Sequence, residues 1–174
     1  MGLHTLFRVF CYYVLWLFSA VTLGLTAARL HYTLHLPLHD PLNGGVNFYD
    51  RIIAEILATA ALTMLLIPIL IVRIHRRHEH GIFSTFGGEL IALLLLFVLW
   101  IVGAAIATRN WGNLNWCHTY SACRLLTAIV AFTWMSWIMV FFLTISCLGY
   151  IFRNDGFSHP VHGGYYPERD MREV

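Results

Sequence analysis

Hydrophobic residues fall in four continuous stretches that are separated by short polar segments. Each stretch has about 20 residues or more, the length that an α-helix needs to cross roughly 30 Å of hydrocarbon. A transmembrane β-strand would instead alternate apolar and polar residues over about 10 positions. The pattern predicts an all-α integral membrane protein, a four-helix bundle that forms one domain over residues 1–152 with a polar tail over 153–174. We place the helices at about 9–28, 52–72, 90–108 and 125–152.

The distribution of arginine predicts which side of the membrane each end faces. Arg73, Arg76 and Arg77 crowd the connection between the second and third stretches, and basic residues are enriched in cytoplasmic loops. We therefore expect that connection to be cytoplasmic. Because the number of spans is even, the N and C termini and the tail are expected on the same side. The first stretch is too long for a signal peptide, so we expect it to remain as a helix.

Composition narrows the class of function. Of the 174 residues, 59% are hydrophobic and 11% are charged, whereas about 25% are charged in soluble domains. The net charge is only +2, which is too small for the basic surface that nucleic acids require, so we exclude a nucleic-acid partner. The sequence has no nucleophile beside a base, no phosphate-binding glycine loop and no zinc-binding helix motif. We expect a protein that is not an enzyme and uses no cofactor.

Two groups of histidines raise the hypothesis of a metal site. Pro37 would break the helix that the first group needs in order to share one face. Arg76 and Arg77 place positive charge among the second group, which disfavours a bound cation. We therefore expect surface histidines and no bound metal. The groups are His31, His35 and His39, and His75, His78 and His80.

Two carboxylates stand within or beside the apolar stretches. Glu55 lies about one turn inside the second stretch, where an unpaired charge costs about 3 kcal/mol. Arg124, at the start of the fourth stretch, is its predicted partner in an intramembrane ion pair. Glu89 opens the third stretch, where the helix dipole favours a carboxylate, and we expect it to cap that helix within reach of water or Arg76. The residues after Glu55 are uncharged, which weakens the alternative of an ion pathway.

The four cysteines form two pairs with different predicted chemistry. Cys117 and Cys123 flank a short segment on the predicted non-cytoplasmic side, where thiols oxidise, and we expect a disulfide between them. Cys11 and Cys147 lie near the cytoplasmic ends of the first and fourth stretches, which makes them candidates for palmitoylation. The alternative for this second pair is a buried thiol that packs as a small hydrophobic group.

Small residues in the third stretch predict a close helix contact. Gly103 and Ala107 have the small-xxx-small spacing that lets two helix backbones approach each other. The spacing does not say whether the neighbouring helix belongs to the same chain or to another copy. We expect the contact to lie within the chain.

Several of these features together resemble a known family. The third stretch ends in LWIVGAAIATRNW, Cys117 and Cys123 follow, and the fourth helix region reads CRLLTAIVAFTWMSWIMVFFLTI. These segments are similar to the small-residue helix, paired loop cysteines and Ala-Phe-Trp fourth helix of the MARVEL-domain membrane proteins, in particular the fungal four-helix members. The resemblance covers nearly the whole chain. It implies a role in organising membranes, such as vesicle trafficking, membrane apposition or plasma-membrane microdomains, without an active site.

Three classes of function are consistent with the sequence. We expect first a non-enzymatic tetraspan membrane-organising protein, located in the plasma membrane or in endomembrane vesicles. Such a protein would act by self-association into a homo-oligomer and by packing against membrane lipids or another membrane protein. The second class is a small channel or transporter that uses Glu55, Glu89 and Arg124. The third is an accessory subunit of a larger membrane complex.

Overall fold

The computed structural model describes residues 3–37, 43–76, 86–111 and 121–153, and four long α-helices make up most of them. Each helix has an apolar window long enough to cross a membrane, and the described residues contain no β-strand. The predicted all-α fold with four membrane-spanning helices is confirmed, while the side that each terminus faces stays a prediction. The helices are α1 (Leu3–Leu34), α2 (Arg51–Arg76), α3 (Phe86–Trp111) and α4 (Ser121–Arg153).

The helices are longer than the apolar stretches indicate. α1, for example, continues beyond the predicted 9–28 at both ends and includes Arg8 and Arg29. An unpaired backbone group is costly near hydrocarbon, so helical hydrogen bonding continues through polar residues at the membrane boundary. Of the predicted tail, only Arg153 belongs to the described residues, as the last residue of α4.

The four helices form an antiparallel ring in which each packs against its neighbours in chain order and α1 closes the ring against α4. In this arrangement α1 lies diagonally opposite α3, and α2 lies diagonally opposite α4. One end of the bundle collects the beginnings of α1 and α3 with the ends of α2 and α4, and we call it the Arg8 end. The opposite end, which holds the beginnings of α2 and α4, is the Arg29 end.

The core combines large apolar side chains with hydroxyl groups. Trp100, Leu15 and Ile56 are among its largest fully buried members. Many of the hydroxyls donate to the carbonyl oxygen four residues earlier in their own helix, so they are satisfied without a partner on another helix. These are Ser19, Thr22, Thr26, Thr63, Thr133, Ser136 and Thr144.

Candidate functional site

An ion pair between α1 and α3 is buried at the Arg8 end. Nη2 of Arg8 donates to Oε1 of Glu89 at 2.5 Å, and the Tyr12 hydroxyl donates to the same oxygen. Arg8 is 4% exposed, Tyr12 0% and Glu89 1%. The pair therefore joins two diagonally opposite helices through the centre of the bundle.

Helix geometry explains why these side chains meet. Arg8 and Tyr12 are four residues apart and so lie on one face of α1. Glu89 belongs to the first turn of α3, where the positive end of the helix dipole stabilises a carboxylate. The Cys147 thiol of α4 is close enough to interact electrostatically with both charges. Three of the four helices thus contribute to this cluster.

The position of Glu89 corrects one expectation from the sequence. Glu89 does stand at the start of α3, but its side chain is buried and bonded to Arg8 instead of reaching water. Its second oxygen, Oε2, has no hydrogen-bond partner. The apolar stretch that predicts α1 begins at about residue 9 and so excludes Arg8, which is why the sequence did not predict the pair. One signal could have predicted it. In an antiparallel bundle α1 and α3 run in the same direction, so Arg8 and Glu89, which lie near the starts of these helices, come to the same end.

The predicted ion pair between Glu55 and Arg124 is not formed in the structure. The Thr59 hydroxyl donates to Oε1 of Glu55 at 3.1 Å, and Oε2 of Glu55 has no hydrogen-bond partner. Arg124 is exposed at the beginning of α4. The Glu55 side chain lies instead against Gly103 of the neighbouring helix α3, and Arg124 points away from the bundle interior.

Gly103 provides the surface on α3 that the Glu55 side chain contacts. A Cβ atom at Gly103 would lie 2.7 Å from Oε2 of Glu55 and 3.1 Å from Cγ1 of Ile56. The absence of a side chain therefore lets α2 and α3 approach closely within one chain. Ala107, one turn further along α3, is fully buried in the core.

The cysteines fall into two chemical states. Cys123 is disulfide-bonded, and its predicted partner Cys117 lies outside the described residues. Cys11 and Cys147 form no disulfide, and both are buried, with 4% and 0% exposure. An acylated cysteine must present its sulfur to lipid, so these buried positions contradict the palmitoylation hypothesis and favour the alternative of packed thiols.

The histidine groups do not converge on a metal site in the part of the chain that the structure describes, where no three side chains of His, Cys, Asp or Glu come together. His31 and His35 are exposed and stack with their ring centroids 4.7 Å apart. The side chains of His39, His75, His78 and His80 lie outside the described part.

Two tryptophans form hydrogen bonds between neighbouring helices. Nε1 of Trp100 donates to Oγ1 of Thr63 at 3.1 Å, which links α3 to α2. Nε1 of Trp134 donates to Oγ1 of Thr108 at 2.8 Å, which links α4 to α3. The Thr hydroxyls bond a backbone carbonyl at the same time. These hydrogen bonds join neighbouring helices, so we interpret the two tryptophans as structural.

Comparison with known proteins finds no matching family model, no similar curated protein and no similar solved structure. The class that the fold defines is an integral membrane protein with four spanning helices. The resemblance to MARVEL-domain proteins stays a prediction, and function is argued below from the residues of this chain.

Proposed function

We propose that this protein is a non-enzymatic, four-helix membrane-organising protein that acts by packing its outer surface against lipids and other membrane proteins, including its own copies. The observation that carries the proposal is the separation of its two intramembrane carboxylates. Glu89 is paired with Arg8 at the Arg8 end, whereas Glu55 lies in the half of the bundle nearer the Arg29 end. Between them the core is closed by Leu93, Leu96 and Trp100, which are at most 1% exposed.

This separation argues against a conduction role. A proton or ion pathway needs ionisable or hydrated groups in sequence across the membrane. In the described residues of the interior, the hydroxyls that lie between the two carboxylates mostly bond their own helix backbone. The interior therefore supports a structural bundle better than a conduit, and the function is assigned to its outer surface.

The outer surface carries an aromatic ridge, formed by Phe97 of α3 with Trp137, Phe141 and Phe142 of α4. Successive ring centroids lie 5.5, 5.7 and 5.9 Å apart. Phe142 is 51% exposed and Phe141 39%. Because these rings are exposed, we propose that copies of the chain associate through the aromatic ridge. The proposed location is the plasma membrane or endomembrane vesicles.

The test is to measure the oligomeric state of the full chain in lipid nanodiscs by native mass spectrometry. We expect a discrete homo-oligomer that dissociates when Phe141 and Phe142 are both changed to Ala. The matched control is Leu65→Ala, an exposed apolar residue on α2, which should leave the oligomer intact. A monomeric wild-type protein would refute self-association, and a stoichiometric foreign chain would identify an accessory subunit instead.

A channel or transporter is the second candidate, and one observation favours it. Oε2 of Glu55 has no hydrogen-bond partner, and ionisable residues inside a membrane domain often mark ion pathways. Proton and cation flux in proteoliposomes tests this function directly. Flux that Glu55→Gln abolishes would favour the channel, whereas no flux above that of empty liposomes would exclude it.

A further inference from the structure

A second buried arginine, Arg29, lacks the kind of partner that Arg8 has. Arg29 is 5% exposed, yet neither its Nε nor its Nη1 has a hydrogen-bond partner. Its guanidinium carbon lies 5.9 Å from the centroid of the Tyr32 ring. A cation–π contact of this kind is worth about 0.5–2 kcal/mol, which is less than the cost of burying an ion. No described carboxylate forms a salt bridge with Arg29, so this buried cation lacks an anion in direct contact.

Arg29 lines a pocket between α1 and α4. The pocket has a volume of about 240 Å³. Two alanines contribute to its wall, and their small side chains leave the space open. Apart from Arg29 and the Tyr32 side chain, the lining is apolar, which suits a ligand that joins one anionic group to an apolar part. The lining residues are Ala28, Arg29, Tyr32, Ala122 and Leu125.

The first turn of α4 adds to the positive potential of this pocket. Ala122 is the second residue of α4, and backbone N–H groups at a helix N-terminus have no partner within the helix and favour anions. Asp50 acts electrostatically on Arg29, but no salt bridge joins these two described residues. The Arg29 end also carries more described arginines than carboxylates: Arg29, Arg51, Arg109 and Arg124 against Asp50 and Glu55.

We propose that this pocket, the Arg29 pocket, binds the phosphate group of a phospholipid. Guanidinium groups are well suited to bind phosphate, so Arg29 supplies the positive charge that this headgroup requires. The glycerol and the first acyl carbons then contact Ala28, Ala122 and Leu125. Both α1 and α4 have a membrane boundary here, which is where lipid headgroups lie. Occupancy of the pocket requires no self-association, so this proposal is independent of the function proposed above.

The experiment is a lipid titration of the delipidated full chain, followed by native mass spectrometry. The probes are phosphatidylglycerol and, separately, inorganic phosphate. Arg29→Gln removes the charge, and Ala122→Phe fills the pocket while it keeps Arg29. Arg124→Gln is the matched control, because Arg124 is an exposed arginine two residues further along α4. The second pocket variant keeps the test valid if Arg29→Gln fails to fold.

We expect one retained lipid per wild-type chain and a loss of affinity of about tenfold or more in both pocket variants. Arg124→Gln should change the affinity by less than about twofold. Equal losses in Arg29→Gln and Arg124→Gln would show unspecific attraction to positive charge and overturn the proposal. If the protein retains inorganic phosphate but not the lipid, the pocket binds free phosphate and the proposed lipid is wrong. If it retains neither, the proposed site is wrong.

Discussion

Removing one charge from the Arg8–Glu89 pair should destabilise the bundle more than removing both. Glu89→Gln leaves the guanidinium of Arg8 without its carboxylate, and Arg8→Met leaves the carboxylate of Glu89 without its cation. The double variant Arg8→Met with Glu89→Gln removes both charges and keeps side chains of similar volume. Tyr12 can still donate a hydrogen bond to the amide oxygen of Gln in this variant.

The magnitude follows from burial. Arg8 is 4% and Glu89 1% exposed, so neither charge is hydrated once its partner is gone. Removing one member of such a pair costs about 3–5 kcal/mol in the free energy of unfolding. Replacing both members is often neutral, because the cost of desolvating two ions offsets their attraction. We therefore expect each single variant to lose about 3 kcal/mol and the double variant less than about 1 kcal/mol.

The assay is reversible unfolding of the purified protein by SDS in mixed micelles, followed by tryptophan fluorescence. Arg124→Met is the control, since that side chain is exposed, and it should change stability by less than about 0.5 kcal/mol. Single variants that each cost less than about 1 kcal/mol would refute the reasoning, as would a double variant whose loss equals the sum of the single losses.

Three further predictions use the same unfolding assay. Gly103→Ala should cost about 1 kcal/mol, because its Cβ would lie 3.1 Å from Cγ1 of Ile56 and 2.7 Å from the movable Oε2 of Glu55. Gly24→Ala, whose Cβ would meet nothing within 4 Å, should be neutral or stabilising. Equal losses in the two variants would contradict this. Thr63→Val should cost about 1 kcal/mol, because it removes the acceptor for Nε1 of Trp100. An unchanged unfolding midpoint would argue against that hydrogen bond. Cys123→Ser should cost about 2 kcal/mol, because Cys123 is disulfide-bonded. Reductant should then no longer lower the stability of this variant, and a variant that reductant still destabilises would refute the prediction.

The fold could be predicted because the bilayer leaves few alternatives. A continuous apolar stretch of about 20 residues must satisfy its backbone hydrogen bonds internally, so it forms a helix. The helix ends could not be predicted in the same way. The chain stays helical through Arg8 and Arg29, and hydropathy treats such residues as the ends of a stretch. Local apolarity therefore gives the number of helices but underestimates their length.

The candidate site depended on information that no single stretch contains. Glu55 and Arg124 do lie at the beginnings of their helices in the same half of the bundle, but pairing also requires both side chains to point toward each other, and Arg124 is exposed. The ring order makes α3 the neighbour of α2, so Glu55 meets Gly103 instead. The Arg8–Glu89 pair crosses the diagonal, and neither helical periodicity nor residue spacing reports on a contact of that kind.

The two buried arginines of α1 define its position in the membrane. Arg8 and Arg29 are 21 residues apart, which corresponds to about 31 Å along a helix and so to the thickness of the hydrocarbon layer. A buried cation therefore stands near each boundary. The first is neutralised within the chain by Glu89, which fixes α1 against α3 without help from lipid. The second forms no salt bridge with a described carboxylate, and in our proposal a lipid phosphate supplies the anion in direct contact with it. The buried cation of α1 is thus paired by protein at one boundary and, in our proposal, by lipid at the other.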